Sequence, residues 1–182
     1  MATLLEVTQF GNPILRDVAK RLTPEEILSD EVQTLIANMC FTLQEREYGV
    51  GLAAPQIGSN LALSVIGIKP TPTRPNLEIF NTVLINPQVV ETFGRKRQMW
   101  EGCVSSGELE NTLYAKVPRY KKVRLTWLDE NAVEHDEILD GFVAHVAQHE
   151  TDHLNGILFV DRVKDTKTYM LAGEYKKRIA NR

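Results

Sequence analysis

His149-Glu150-Thr151-Asp152-His153 sets two imidazoles four residues apart, an offset that stacks them on one face of a helix about a turn apart. Two ring nitrogens so placed can meet one metal ion. Glu150 falls about 100° around the axis from His149, off the ligand line but within reach of a water that such an ion would activate, so it is the candidate general base. A catalytic metal commonly keeps three protein ligands and one open position, so a third ligand must come from elsewhere. After His153 the chain holds no histidine, only the acids Asp161, Asp165 and Glu174, the first two near what reads as a strand-like exit. Upstream, Glu101-Gly102-Cys103-Val104-Ser105 puts a cysteine behind a glycine at the expected end of a strand or turn, where its sulfur could face a cleft. Cys103 is the better third ligand, set against the common alternative of a small buried apolar residue.

A third stretch, Gly49-Val50-Gly51-Leu52-Ala53-Ala54-Pro55-Gln56-Ile57-Gly58, is rich in residues that let a backbone pass close to another object. Gln56 offers an amide that could donate to a developing oxyanion, although a loop between helix and strand accounts for the composition equally well. Cys40 reads as a buried apolar residue. His145, one turn before His149, reads as a surface residue or as one touching a ligand from behind, because three imidazoles in a row would crowd. His135, between Glu134 and Asp136, reads as a solvated strand or turn residue.

The elements that must position these groups are legible in part. Thr23-Pro24-Glu25-Glu26 opens a short helix with a capping threonine, proline at the first helical position and an acid at the third. From Asp30 to about Glu47, Leu35, Ile36, Met39, Cys40 and Leu43 recur at helical spacing and predict the first long helix. Strand patterns cover Leu61 to Ile68, Thr82 to Val90 and Lys122 to Leu128, and they suggest a mostly antiparallel sheet. The motif helix is expected from Asp140, as its cap, to Leu154, ended by Asn155-Gly156. Residues 69–79, with three prolines, and 105–113 read as irregular.

With 182 residues, 43% hydrophobic and 25% charged, the chain has the composition of a globular protein, and no linker or repeat divides it, so one domain over 1–182 is expected. No apolar run approaches the roughly 20 residues of a membrane helix. Residues 1–7 show no secretion signal, so a cytoplasmic location is expected. A net charge of -3 argues against wholesale binding of nucleic acid or anionic lipid. Two cysteines rule out a disulfide framework.

Together the three stretches resemble the peptide deformylases. Gly49 to Gly58 is similar to that family's first motif, Glu101 to Ser105 to its second and Gln148 to Leu154 to its third, in the family's order. Gly11 to Arg16 and Ile85-Asn86-Pro87 extend the likeness over nearly the whole chain. The resemblance implies an α+β fold in which antiparallel strands pack around a central helix bearing the third motif. It implies Cys103, His149 and His153 as metal ligands, Glu150 as acid and base, and Gln56 with the Val104 backbone N–H beside the reacting carbonyl. It sets Val50 and Gly51 along the groove for the substrate's methionine. It further implies hydrolysis of the formyl group from N-formylmethionyl nascent peptides, with release of formate. The ion it implies is Fe2+ in the cell; a thiolate and two imidazoles also suit Zn2+, Ni2+ or Co2+. Val104 departs from the leucine of many relatives, and Ser105 to Tyr120 is longer and more polar than the family's stretch.

Other readings compete. The two-histidine motif alone would fit a metal-dependent endopeptidase, and the altered 105–120 segment would fit a domain that binds peptides without turnover. Lys176, Lys177, Arg178 and Arg182 make the carboxyl end basic, which suits either a solvated helix end or a polyanionic partner such as the ribosome.

Overall fold

The computed structural model describes residues 2–46, 49–71 and 75–180. Helix α1 (Pro24–Ile27) starts at the expected place, with Thr23 and Glu26 bonding each other's backbone N–H reciprocally. Helix α2 (Asp30–Glu45) follows, capped by Ser29; Glu47, the expected end, lies outside the described residues. Strands β1 (Gly51–Ala53), β2 (Leu63–Ile68), β3 (Phe80–Gly102), β4 (Leu113–Leu128) and β5 (Glu134–Asp140) form one antiparallel sheet in that order, and a two-residue β6 (Met170–Leu171) adds to β4. Helix α3 (Gly141–Leu154) carries the third motif, and one-turn helices α4 (Phe159–Arg162) and α5 (Ala172–Tyr175) follow. The α+β class with antiparallel strands around the motif helix is what the structure has.

The sheet is sandwiched locally between the two long helices. Residues of a strand alternate faces: Leu63, Val65, Val83 and Ile85 pack with Ile36, Met39 and Leu43 of α2. Ile66, Ile68 and Leu84 pack instead with Ala144, Val146 and Ala147 of α3. β2 is therefore buried on both faces. α3 is deeply enclosed, with ten of its residues buried, so it holds its side chains between neighbours rather than against solvent.

Several boundaries differ from expectation. β3 runs far beyond Val90 and β4 begins nine residues before Lys122, because backbone pairing from Lys96↔Tyr120 to Gly102↔Tyr114 extends the hairpin through a stretch whose β3 arm is polar; in β4, Ala115 and Val117 do alternate as buried residues. β1 and β6 are too short to show a pattern, and β5, with one buried residue, shows none. Asp140 occupies the cap position of α3, yet its side chain makes no capping bond. Gly156 does take the left-handed conformation at φ 69°, and a Cβ there would strike the Arg16 carbonyl. The irregular 69–79 segment includes residues 72–74, outside the described ones. The segment 105–113 folds as two short 3-10 turns, Val104–Ser106 and Leu109–Asn111.

Candidate metal centre and cleft

α3 delivers His149 and His153 on one face, with ring centroids 4.8 Å apart. Cys103 leaves the end of β3, and the turn after it is fixed by Ser106, whose N–H and hydroxyl both donate to the Cys103 carbonyl at 2.9 and 2.7 Å. The Cys103, His149 and His153 ligand atoms lie within 4.8 Å of one another, and Cys103 Sγ is 3.3 Å from His153 Nε2. Two elements far apart in sequence thus bring one sulfur and two ring nitrogens to a shared point.

Behind the ligands lies a buried ionic chain to which the sequence reading gave no role. Glu101 Oε1 accepts from Arg119 Nε at 2.6 Å and sits 2.8 Å from His145 Nε2. Its Oε2 accepts from Arg119 Nη2 and faces His149 Nδ1, both at 3.0 Å. Arg119 also donates to Asp152, which is forked by Arg162. A carboxylate only accepts, so His149 donates through Nδ1, which leaves Nε2 as the nitrogen that can ligate. Burial alone would raise the Glu101 carboxyl; the bonds from His145, His149 and Arg119 hold it well below its usual range. Burial likewise opposes the charged form of His149, but Cys103 and Glu101 raise it well above the ordinary value. His153 is pushed well down by burial and by the charges of His149 and Arg119.

Glu150 faces the cleft, 3% exposed, and its Oε2 has no hydrogen-bond partner. Burial, with the Glu101 charge adding and His149 opposing, raises its carboxyl to about 7. Gly51 makes its position possible, since a Cβ there would overlap the Glu150 carboxylate. Gln56 is held by its own oxygen, which accepts from Ala53 N–H at 2.8 Å. Its Nε2 points at Cys103 Sγ (3.3 Å) and Ser105 Oγ (3.1 Å). Val104 opens the turn after Cys103, its carbonyl accepting from Gln9 Nε2 at 3.1 Å. Val50, Gly51, Gln56, Cys103, Val104, His149 and Glu150 all line one cavity of about 980 Å³.

Other sequence readings are corrected. Cys40 is exposed, not buried, because it lies on the flank of α2 beside Met39 rather than on its core stripe, and it borders the cavity. His145 is buried at 4% exposure behind His149, the second of its two readings. His135 is not merely solvated: it stacks on Trp127 at 4.9 Å and reaches Asp129 at 3.1 Å. Asp161 sits in α4, not in a strand-like exit, and pairs with Arg16. Asp165 caps the next turn, and Glu174 binds Lys177 and Arg178, so the downstream acids have other partners. Glu101 had one available signal: it is two residues before Cys103 in extended backbone at the end of a strand, hence on the same face. Arg119 and Asp152 had none, because their meeting depends on how β4 crosses α3.

The family model for polypeptide deformylase matches residues 4–169. A peptide deformylase of Leptospira biflexa is 40% identical over 166 residues, covering 90% of each chain. A class I type b peptide deformylase from Acinetobacter baumannii, solved with Met-Ala-Ser bound, superposes with a TM-score of 0.82 at 32% identity, over 90% of this chain and 100% of that one. Peptide deformylase from Synechococcus elongatus in complex with actinonin gives 0.76 at 38% identity, over 90% and 81%.

Proposed function

The chain belongs to the polypeptide deformylase family, and from that membership we propose that it removes the formyl group from N-formylmethionyl nascent peptides and releases formate. The observation that carries the reading is the convergence of Cys103, His149 and His153 at one edge of a cleft that Cys103, His149 and Glu150 line, with the Glu150 Oε2 atom unpartnered.

The residues fit a metal. Glu101 holds His149 through Nδ1 and so leaves Nε2 as its ligating nitrogen, and a thiolate with two imidazoles is a donor set for a divalent ion. Cys103, His149 and His153 would hold it, Fe2+ in the cell, with Zn2+, Ni2+ or Co2+ in preparations. When bound, such an ion supplies Lewis acidity and makes water acidic enough to ionise near neutrality.

The remaining steps belong to the chain. Glu150 takes a proton from the attacking water, whose oxygen bonds to the formyl carbon. Gln56 Nε2 and the Val104 N–H donate to the oxygen on which charge develops. As the carbon–nitrogen bond breaks, the proton on Glu150 passes to the leaving nitrogen, giving formate and a free amino terminus. β1 is the last strand of the sheet, so its edge away from β2 at Gly51, with Val50 just before it, can pair with an extended peptide by main-chain bonds. Such substrates place the enzyme in the cytoplasm. Docking of the basic end on the ribosome is a separate proposal: Lys176 pairs with Glu110, and Lys177 and Arg178 with Glu174, so part of that charge is neutralised. Removing residues after Ala172 should weaken co-sedimentation with ribosomes; unchanged co-sedimentation would dispose of it.

Metal-loaded protein is offered formyl-Met-Ala-Ser and, separately, internal peptides blocked at the amino terminus. Formate from the first without cleavage of the second is expected. Internal cleavage would favour an endopeptidase, and metal binding without formate a peptide-binding domain.

A further inference from the structure

The match to the family ends at residue 169, yet the chain continues back to the cleft. β6 pairs with β4 through Leu113↔Leu171 and Tyr114↔Met170, and Ala172 N–H donates to the Thr112 carbonyl at 2.9 Å. Gly173 leaves room for the Glu110 carboxylate, which also holds Lys176 Nζ at 3.2 Å. The anchor points Glu110, Thr112 and Tyr114 fall in the 105–120 segment. The segment after residue 169 and the start of β4 therefore dock on each other.

Their meeting builds an aromatic wall. The Tyr175 ring stacks on Tyr114 at 4.4 Å with 12° between planes, and Trp100 meets Tyr175 edge-on at 5.5 Å and 63°. Tyr114 lies over Gly102, where any Cβ would strike its ring, and Gly102 adjoins Cys103. Trp100, Tyr114, Tyr175 and Ile179 are half-buried and line the same cavity as Cys103 and Glu150.

Resting on the deformylase reading above, we propose that Tyr175, with Trp100, Tyr114 and Ile179, forms a subsite for an apolar, preferably aromatic, side chain of the peptide downstream of the formylated residue. The half-buried Trp100 and Tyr175 rings beside the reacting centre lose more of their surface to such a side chain when it arrives, and ring contacts add to the area removed from water. A cationic side chain fits less well, because Lys116 Nζ already stands 5.4 Å over the Trp100 ring. Tyr175 is thus a specificity-determining residue contributed by the segment that follows the matched residues 4–169.

The test compares formyl-Met-Ala-Ala, formyl-Met-Phe-Ala and formyl-Met-Ala-Phe on metal-loaded wild type, Tyr175→Ala and Tyr175→Phe. At least one phenylalanine peptide should be favoured about fivefold to tenfold in kcat/KM, through KM, by wild type and Tyr175→Phe. Tyr175→Ala should reduce that preference to about twofold or less. A wild type without preference, or a preference intact in Tyr175→Ala, would overturn the subsite. Should Tyr175→Ala not fold, Ile179→Glu reads the same wall and should shift preference from phenylalanine toward lysine; no shift would count against it. If wild type releases no formate from any peptide, the deformylase reading fails on its own. The affinities of Met-Ala-Ala, Met-Phe-Ala and Met-Ala-Phe, measured by calorimetry, then decide the subsite, equal values refuting it.

Discussion

Glu101→Gln keeps the shape of the side chain and removes its charge, which isolates what the carboxylate does. Each Glu101 oxygen takes one arginine and one histidine nitrogen: Oε1 has Arg119 Nε and His145 Nε2, and Oε2 has Arg119 Nη2 and His149 Nδ1. A glutamine presents an amide N–H pair in place of one of these oxygens, so in either orientation two of the four contacts oppose donor to donor. The orientation that faces the amide to His149 would also move the imidazole proton to Nε2, the tautomer that cannot ligate. Breaking a buried ion pair costs about 3–5 kcal/mol, and the lower figure applies because Asp152 still partners Arg119. With a urea slope of about 2 kcal/mol/M, that moves the unfolding midpoint down by about 1.5 M. Loss of a hydrogen bond behind a ligating histidine costs about tenfold to a hundredfold in metal affinity, or about 1.4–2.7 kcal/mol. Urea titration of the metal-free protein and Zn2+ competition against a chromophoric chelator read the two effects separately. A variant matching wild type in both would refute the role given to Glu101.

Glu150→Gln should keep its metal and lose about 10²- to 10⁴-fold in kcat, since the proton carrier is gone; undiminished turnover would contradict it. Gly51→Ala puts a Cβ where the Glu150 carboxylate lies, and a displacement of about 1 Å should cost about 10²-fold in kcat with metal content unchanged; wild-type turnover would show that the carboxylate has other room. Gln56→Ala should lower kcat by about 10²- to 10³-fold and leave KM nearly unchanged, whereas an effect confined to KM would assign it to ground-state binding. His135 is raised above its ordinary 6.5 by Asp129 and Glu137, so its contribution is present below about pH 6.5 and fades as pH rises through the folded-state value. His135→Gln should therefore cost more stability at pH 5.5 than at pH 9, the difference being less than about 1 kcal/mol at this partly exposed site and read as a larger fall in Tm at pH 5.5; equal losses at both pH values would count against the ion pair.

The metal group was legible because its information is local. A helix forces residues 149 and 153 onto one face whatever surrounds it, and the glycine before Cys103 marked the end of a strand. The long helices were legible for the same reason: the apolar stripe of α2 follows from spacing alone, although Cys40, one step from Met39, shows that a stripe's edge is not read to a residue, and the Ser29 cap of α2 was not read. What stayed hidden depends on register. Arg119 comes beside Glu101 only because β3 and β4 pair through a polar hairpin, and Asp152 joins them only because α3 crosses that hairpin. Tyr175 had no periodic neighbour to flag it; its partner Tyr114 is 61 residues away, counted from their numbers.

The most direct test takes anaerobically purified protein and assays a single sample for metal per chain and for formate released from formyl-Met-Ala-Ser. The expected result is close to one divalent ion per chain, with formate release rising in proportion to occupancy and vanishing after chelation. Turnover independent of metal content, or a fully loaded protein that releases no formate, would contradict the assignment of Cys103, His149 and His153 as the centre of this chemistry.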